Sequence, residues 1–192
     1  MKKLVFLLVA AIVLLVGYNS AQSNTGTNVN GQTSDSVVRV SFSYEKQEGH
    51  ASNQIAIWVE DANGKYVNAL YATQWTVKGG YTKRPNSLPV FVERSGIAGM
   101  NEKQVDAFAG ATPSTGKHVY IWDLKDAKGE KVANGSYKIL LEATLRDQKM
   151  VIYTTEVNID GAALKVQPTA AYNGEESKER NMVKDVLVEY IR

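Results

Sequence analysis

The residues best suited to chemistry lie in one short stretch, Asp106-Ala-Phe-Ala-Gly-Ala-Thr112. It places a carboxylate ahead of a Gly-Ala pair and then a hydroxyl, Thr112, directly before Pro113 and clear of any strand pattern. A hydroxyl on an exposed, adaptable loop meets the physical demand on a residue that accepts a transferred group. The same letters also suit a tight lead-in to the strand Val119 to Asp123, with Thr112 bonded to nearby backbone.

Other chemistries find little support. The chain has no Cys, which removes disulfides, thiolate catalysis, cysteine-ligated metals and a lipid-anchored N-terminus. Two histidines, His50 and His118, are too few for a His-rich zinc or haem site, and no nucleophile motif accompanies them. His118, beside a strand, reads as a structural or surface residue. Asp123, Asp126, Glu130, Asp61 and Glu60 sit at two turns without the ligand spacing of an EF-hand loop, so they read as solvated turn acids. No two carboxylates are paired for acid–base work, and the run Glu175 to Arg180 reads as a solvated turn.

The elements that must hold Thr112 are strands. At 192 residues, with 44% hydrophobic content, the chain has room for one domain. Residues 1–23 read as a cleavable signal peptide: Lys2 and Lys3, then the apolar run Leu4 to Val16, then Ala21-Gln22-Ser23. That run is shorter than the roughly 20 residues of a spanning helix, so no stable membrane anchor is expected after cleavage. Loss of Lys2 and Lys3 reduces the 22 basic side chains to 20, equal to the 20 acidic ones. A mature chain of zero net charge has no long-range attraction for nucleic acid. Residues 24–36, rich in Ser, Asn, Thr, Gly and Gln, read as a flexible leader, and residues 37–192 as the folded domain.

Within that domain, Val38, Val40, Phe42 and Tyr44 alternate with polar residues, as do Ile55, Ile57 and Val59. Asp61-Ala-Asn-Gly64 closes a hairpin into Lys65 to Ala72, and Asp126-Ala-Lys-Gly129 predicts a second one within Val119 to Ala143. IWVEDANGKYV and IWDLKDAKGEKV thus use similar turn chemistry twice. Gln74 to Ser95 reads as irregular, with a short strand from Pro89 to Glu93; its aromatics Trp75 and Tyr81 either pack on a sheet or face a ligand. Asn101 to Phe108 predicts one short helix with Asn101 and Gln104 as a capping box. Further strands are expected over Lys149 to Ile159, Ala163 to Val166 and Met182 to Ile191, with one helical turn between Asn173 and Arg180. Many short strands with little helix predict an all-β, antiparallel, immunoglobulin-like β-sandwich, a closed barrel being the alternative.

The segments WVEDANGKYVNAL, DAFAGATPSTGKHVYIWDLKDAKGEKVANGSYKILLEA and NGEESKERNMVKDVLVEY resemble a bacterial family of predicted periplasmic proteins, domain-of-unknown-function family 2271. The resemblance covers the chain from about Val37 onward and implies a periplasmic or secreted location. Trp122 to Ala143 is also similar to the immunoglobulin-like domain of the flagellar hook-capping protein, a likeness of fold alone. Asp106 to Thr112 resembles the acceptor motif of proteins that receive FMN covalently outside the cytoplasm. By that resemblance Thr112 is the phosphoester acceptor, Gly110 and Ala111 allow a flavin transferase to approach, and Asp106 positions the segment; Ala109 stands where the motif usually has Ser or Thr.

Two functions follow. The first is an exported, non-enzymatic binding or accessory protein whose protein or small-molecule partner in the cell envelope meets the loop around Trp75 and Tyr81. The second is an electron-transfer protein with covalent FMN on Thr112, in which Phe108 is the aromatic neighbour nearest in sequence.

Overall fold

Strands form where apolar and polar side chains alternate. In β1 (Val37–Tyr44) every second residue is buried, as expected of a strand with one face on a core. The computed structural model describes residues 36–48, 52–145 and 149–192, which fall in one compact unit. The signal peptide, the leader up to residue 35, His50 and the turn Arg146-Asp147-Gln148 lie outside the described residues.

Two sheets carry the fold. The first has the order β5 (Gly116–Trp122), β1, β10 (Val183–Ile191), β8 (Leu164–Val166). The second runs β4 (Ala109–Gly110), β3 (Tyr66–Thr73), β2 (Gln54–Asp61), β6 (Gly135–Thr144), β7 (Met150–Ile159), β9 (Thr169–Tyr172). Their pairs are antiparallel except β3 with β4. Val38, Val40, Phe42 and Trp122 of the first sheet share one buried cluster with Ile55, Ile57, Ile139 and Leu141 of the second. The all-β sandwich is borne out, and the barrel is not.

Sequence similarity between the two turns hides opposite outcomes. Asp61 to Gly64 does join the paired strands β2 and β3. The turn Asp126 to Gly129 closes only a single bridge, Lys125 with Lys131, and the expected hairpin does not continue, because β5 and β6 belong to different sheets. The reason lies in the side chains. Trp122 and Tyr137 pack edge to face at 5.3 Å within the core between the sheets, so the chain crosses the sandwich there instead of folding back beside itself.

A second core lies on the other face of the six-stranded sheet. The turn Thr76–Gly80, α1 (Tyr81–Lys83), α2 (Pro89–Ser95), the tight turn Ile97–Gly99 and α3 (Glu102–Asp106) supply its cover. Trp58, Leu140, Phe91, Leu88, Val105 and Phe108 pack together there. Hence seven of the eight residues of β2 are buried: both faces are covered. The short strand expected over Pro89 to Glu93 is instead α2. Proline suits the first helical turn, and the sheet caps the helix from outside it. Val90 N–H and Phe91 N–H donate to the two oxygens of Glu142 at 3.3 and 2.8 Å, and Leu88 N–H donates to Thr144 Oγ1 at 3.3 Å.

The capping box of α3 forms as expected, with Asn101 and Gln104 bonded reciprocally. So does the helical turn before the last strand, α4 (Glu175–Glu179). No described helix is long and apolar enough to cross a membrane.

Candidate functional site

The segment from β4 to β5 is a crossover from the six-stranded sheet to the four-stranded one, and each of its ends is tied down. Ala72 N–H donates to the Phe108 carbonyl at 2.9 Å, and Ala109 and Gly110 pair with Ala72 and Thr73. Tyr71 Oη donates to the Ala111 carbonyl at 2.7 Å. Beyond Pro113, the His118 ring nitrogen Nε2 lies 2.7 Å from the Ser114 carbonyl, and Lys46 N–H donates to Thr115 Oγ1 at 3.1 Å. Thr112 stands between these anchors. It is exposed, and among the described residues its hydroxyl takes no hydrogen bond.

Under this loop lies a row of aromatic rings. Tyr71 meets Tyr120 at 5.0 Å, Tyr120 stacks on Phe42 at 5.9 Å, and Phe42 meets His118 at 5.8 Å. Burial raises the Tyr71 and Tyr120 phenols above their ordinary value, so both stay protonated at neutral pH and Tyr71 remains a donor. The Tyr71 ring also accounts for Gly110. A Cβ there would lie 2.5 Å from Tyr71 Cε2, closer than packed atoms allow. Gly110 is therefore demanded by the fold itself. Ala109 is half-buried against the second core, which favours a small apolar side chain where the related motif has a hydroxyl.

Thr112 and Ala111 line an open cleft of about 630 Å³, whose other walls include Trp75, Lys78, Gly79 and Lys83. Asp106 is not in its wall. It reaches the cleft through Lys78, with Nζ 2.6 Å from Asp106 Oδ1, and this bond holds the lysine above its usual value. Four residues singled out by sequence are thus brought to one place: Thr112 and Ala111 at the surface, Gly110 beneath, Asp106 beside. Lys78 and Lys83 were not foreseen, since the stretch that carries them has no periodic pattern to place it. Phe108 is displaced from the expected role: it is buried, edge to face with Phe91 at 5.8 Å, and makes no wall of the cleft. Trp75, by contrast, is 42% exposed with the Arg84 guanidinium 4.6 Å from its ring centroid. Tyr81 is half-buried against the second core.

The turn acids have local partners. Asp61 Oδ1 accepts from Asn63 N–H and Lys65 N–H, and Asp126 Oδ1 from Lys128 N–H and Glu130 N–H. The last two bonds, Glu130 first, hold Asp126 below the usual carboxylate range.

A family model described as predicted periplasmic protein (DUF2271) matches residues 35–176. No curated protein and no solved structure matches the chain significantly.

Proposed function

The chain belongs to the family of predicted periplasmic proteins DUF2271, and from that premise we propose that it is an exported carrier of FMN attached covalently to Thr112. The observation that carries this reading is the state of Thr112. A threonine whose task was to brace the loop would spend its hydroxyl on nearby backbone. Here the bracing falls to Tyr71, His118 and Thr115, while the Thr112 hydroxyl is exposed and unbonded among the described residues.

The surroundings fit the group. A cleft of about 630 Å³ is within the range that holds a cofactor of this size. Lys83 brings positive charge to the wall that Thr112 shares, suited to a phosphodiester anion, while Lys78 in that wall is paired with Asp106. Attachment is group transfer without change of oxidation state. The Thr112 hydroxyl oxygen bonds to the FMN-side phosphorus of FAD, the pyrophosphate P–O bond breaks, AMP leaves with the bonding pair, and the hydroxyl proton passes to a base on a flavin transferase. The bound flavin would supply electron transfer in the cell envelope. The chain's own residues hold the loop, exclude water from its aromatic underside and present charge to the phosphate.

The test is the intact mass of protein made in cells with a working flavin transferase, with a peptide map across Asp106 to Lys117. An added mass of one FMN less water on that peptide is expected, lost in Thr112→Ala and kept in Thr112→Ser. An unmodified peptide would return the protein to the first reading, a binding or accessory module.

A further inference from the structure

Of the three tryptophans, two are consumed by the cores. Trp58 and Trp122 are fully buried, with their indole N–H groups bonded to Glu60 Oε1 at 2.9 Å and to the Lys125 carbonyl at 2.8 Å. Trp75 differs on both counts. It is 42% exposed, and its indole N–H takes no hydrogen bond among the described residues.

It is nonetheless held in place. Gly80 lies so close that a Cβ there would come within 2.6 Å of Trp75 Cε3 and 2.2 Å of the Trp75 carbonyl oxygen. The turn that permits this, Thr76–Gly80, includes Gly79 at φ 95°, a conformation that side chains disfavour. A large aromatic side chain, kept partly in water by a backbone shaped around it, leaves burial of the ring unexplained as a cause. Its neighbourhood points to a ligand: it shares the cleft with Thr112, and Trp75 is the one aromatic among the described residues of that wall.

We propose that Trp75 is the stacking platform for the isoalloxazine ring of the flavin, and that Arg84 covers the indole when no flavin is there. This rests on the reading of Thr112 as the attachment point. An electron-rich indole and a flat, electron-poor ring stack favourably, and a guanidinium over the same indole is a weaker occupant at an exposed site. The division of labour is spatial. Thr112 carries the phosphate, Lys83 meets the charged end, and Trp75 receives the ring.

Contact between a flavin and an indole quenches flavin emission, which gives a readout apart from activity. The experiment compares flavin emission per mole of attached FMN in the holoprotein, in Trp75→Leu and in Trp75→Phe, with mass spectrometry to count the FMN and far-UV circular dichroism to verify the fold. Expected are strong quenching in the unaltered protein, recovery of emission in Trp75→Leu at unchanged stoichiometry, and an intermediate value in Trp75→Phe. Equal emission per FMN in all three would overturn the platform while leaving attachment to Thr112 intact.

If the mass shows no attachment, that reading fails separately, and the platform is then tested by titrating Thr112→Ala with free FMN. Binding that weakens about tenfold on adding Trp75→Leu supports it. Absence of binding, or binding indifferent to residue 75, overturns it.

Discussion

Trp122 illustrates how much a single side chain carries. It is fully buried between the sheets, packed against Tyr137, and its indole N–H is bonded to the Lys125 carbonyl just before the tight turn. Trp122→Ala removes an aromatic volume from a two-sheet core and takes away one donor of that carbonyl, which keeps Asn68 Nδ2 at 3.0 Å. A loss of about 3–5 kcal/mol is expected, read as the shift in a urea unfolding midpoint; a loss under about 1 kcal/mol would place Trp122 outside the core. Ile121, its neighbour, is 50% exposed, so Ile121→Thr should leave the midpoint almost unchanged. Together the pair tests the face assignment of β5.

α2 takes its N-terminal support from outside its own segment. Its N-terminus has no side-chain cap of its own, and Leu88 before it takes a left-handed conformation at φ 53°. The cap comes from β6. Glu142, buried and aligned with Thr144 on one face of that strand, accepts from the first helical N–H groups. Burial pushes Glu142 up from 4.5 to about 7, against the lowering from the Phe91 and Val90 N–H bonds. A carboxyl raised in the folded state binds its proton more tightly there than in the unfolded chain. Its contribution to stability is therefore complete below about pH 4.5 and is lost as pH rises through about 7. The difference across that window is on the order of 3 kcal/mol. Glu142→Gln cannot titrate, so its stability should fall less than that of the unaltered protein between pH 4.5 and pH 8; equal falls in both would mean that Glu142 is not the titrating group.

Among the described residues two cores share one sheet. β2 lies against the sandwich core through Ile55, Ile57 and Val59, and against the helical cover through Ala56 and Trp58. Neither core can open without exposing the apolar face of the other's sheet, so the sandwich and its cover should unfold together. Tryptophan fluorescence, which reports the buried Trp58 and Trp122 together with the half-exposed Trp75, and far-UV circular dichroism are expected to give coincident urea transitions. An earlier loss of one signal would show the helical cover separating first. The same arrangement matters for the site: the loop bearing Thr112 hangs from β4, one of whose neighbours is the cover and the other β3, so a change in either core reaches it.

The period of two in β1, β2, β7 and β10 determined the strands, and the capping residues determined α3, because alternation and capping are local properties of a chain. Family membership too was legible in the sequence, and Thr112, Asp106, Gly110 and Ala111 were nameable there as candidates. What sequence could not decide was which face of a strand is dry. Ile57-Trp58 and Ile121-Trp122 have the same letters. In the first pair Ile57 faces the sandwich and Trp58 the helical cover; in the second Ile121 faces water and Trp122 the sandwich. That choice depends on partners from distant segments, as do the helix at Pro89–Ser95, capped by residues some fifty positions away, and the meeting of Trp75, Lys78 and Lys83 with Thr112. Local residue types set what each segment is able to form; long-range burial and hydrogen bonding selected which of those forms was realised, because only in the packed chain does each face and each buried polar group find its partner.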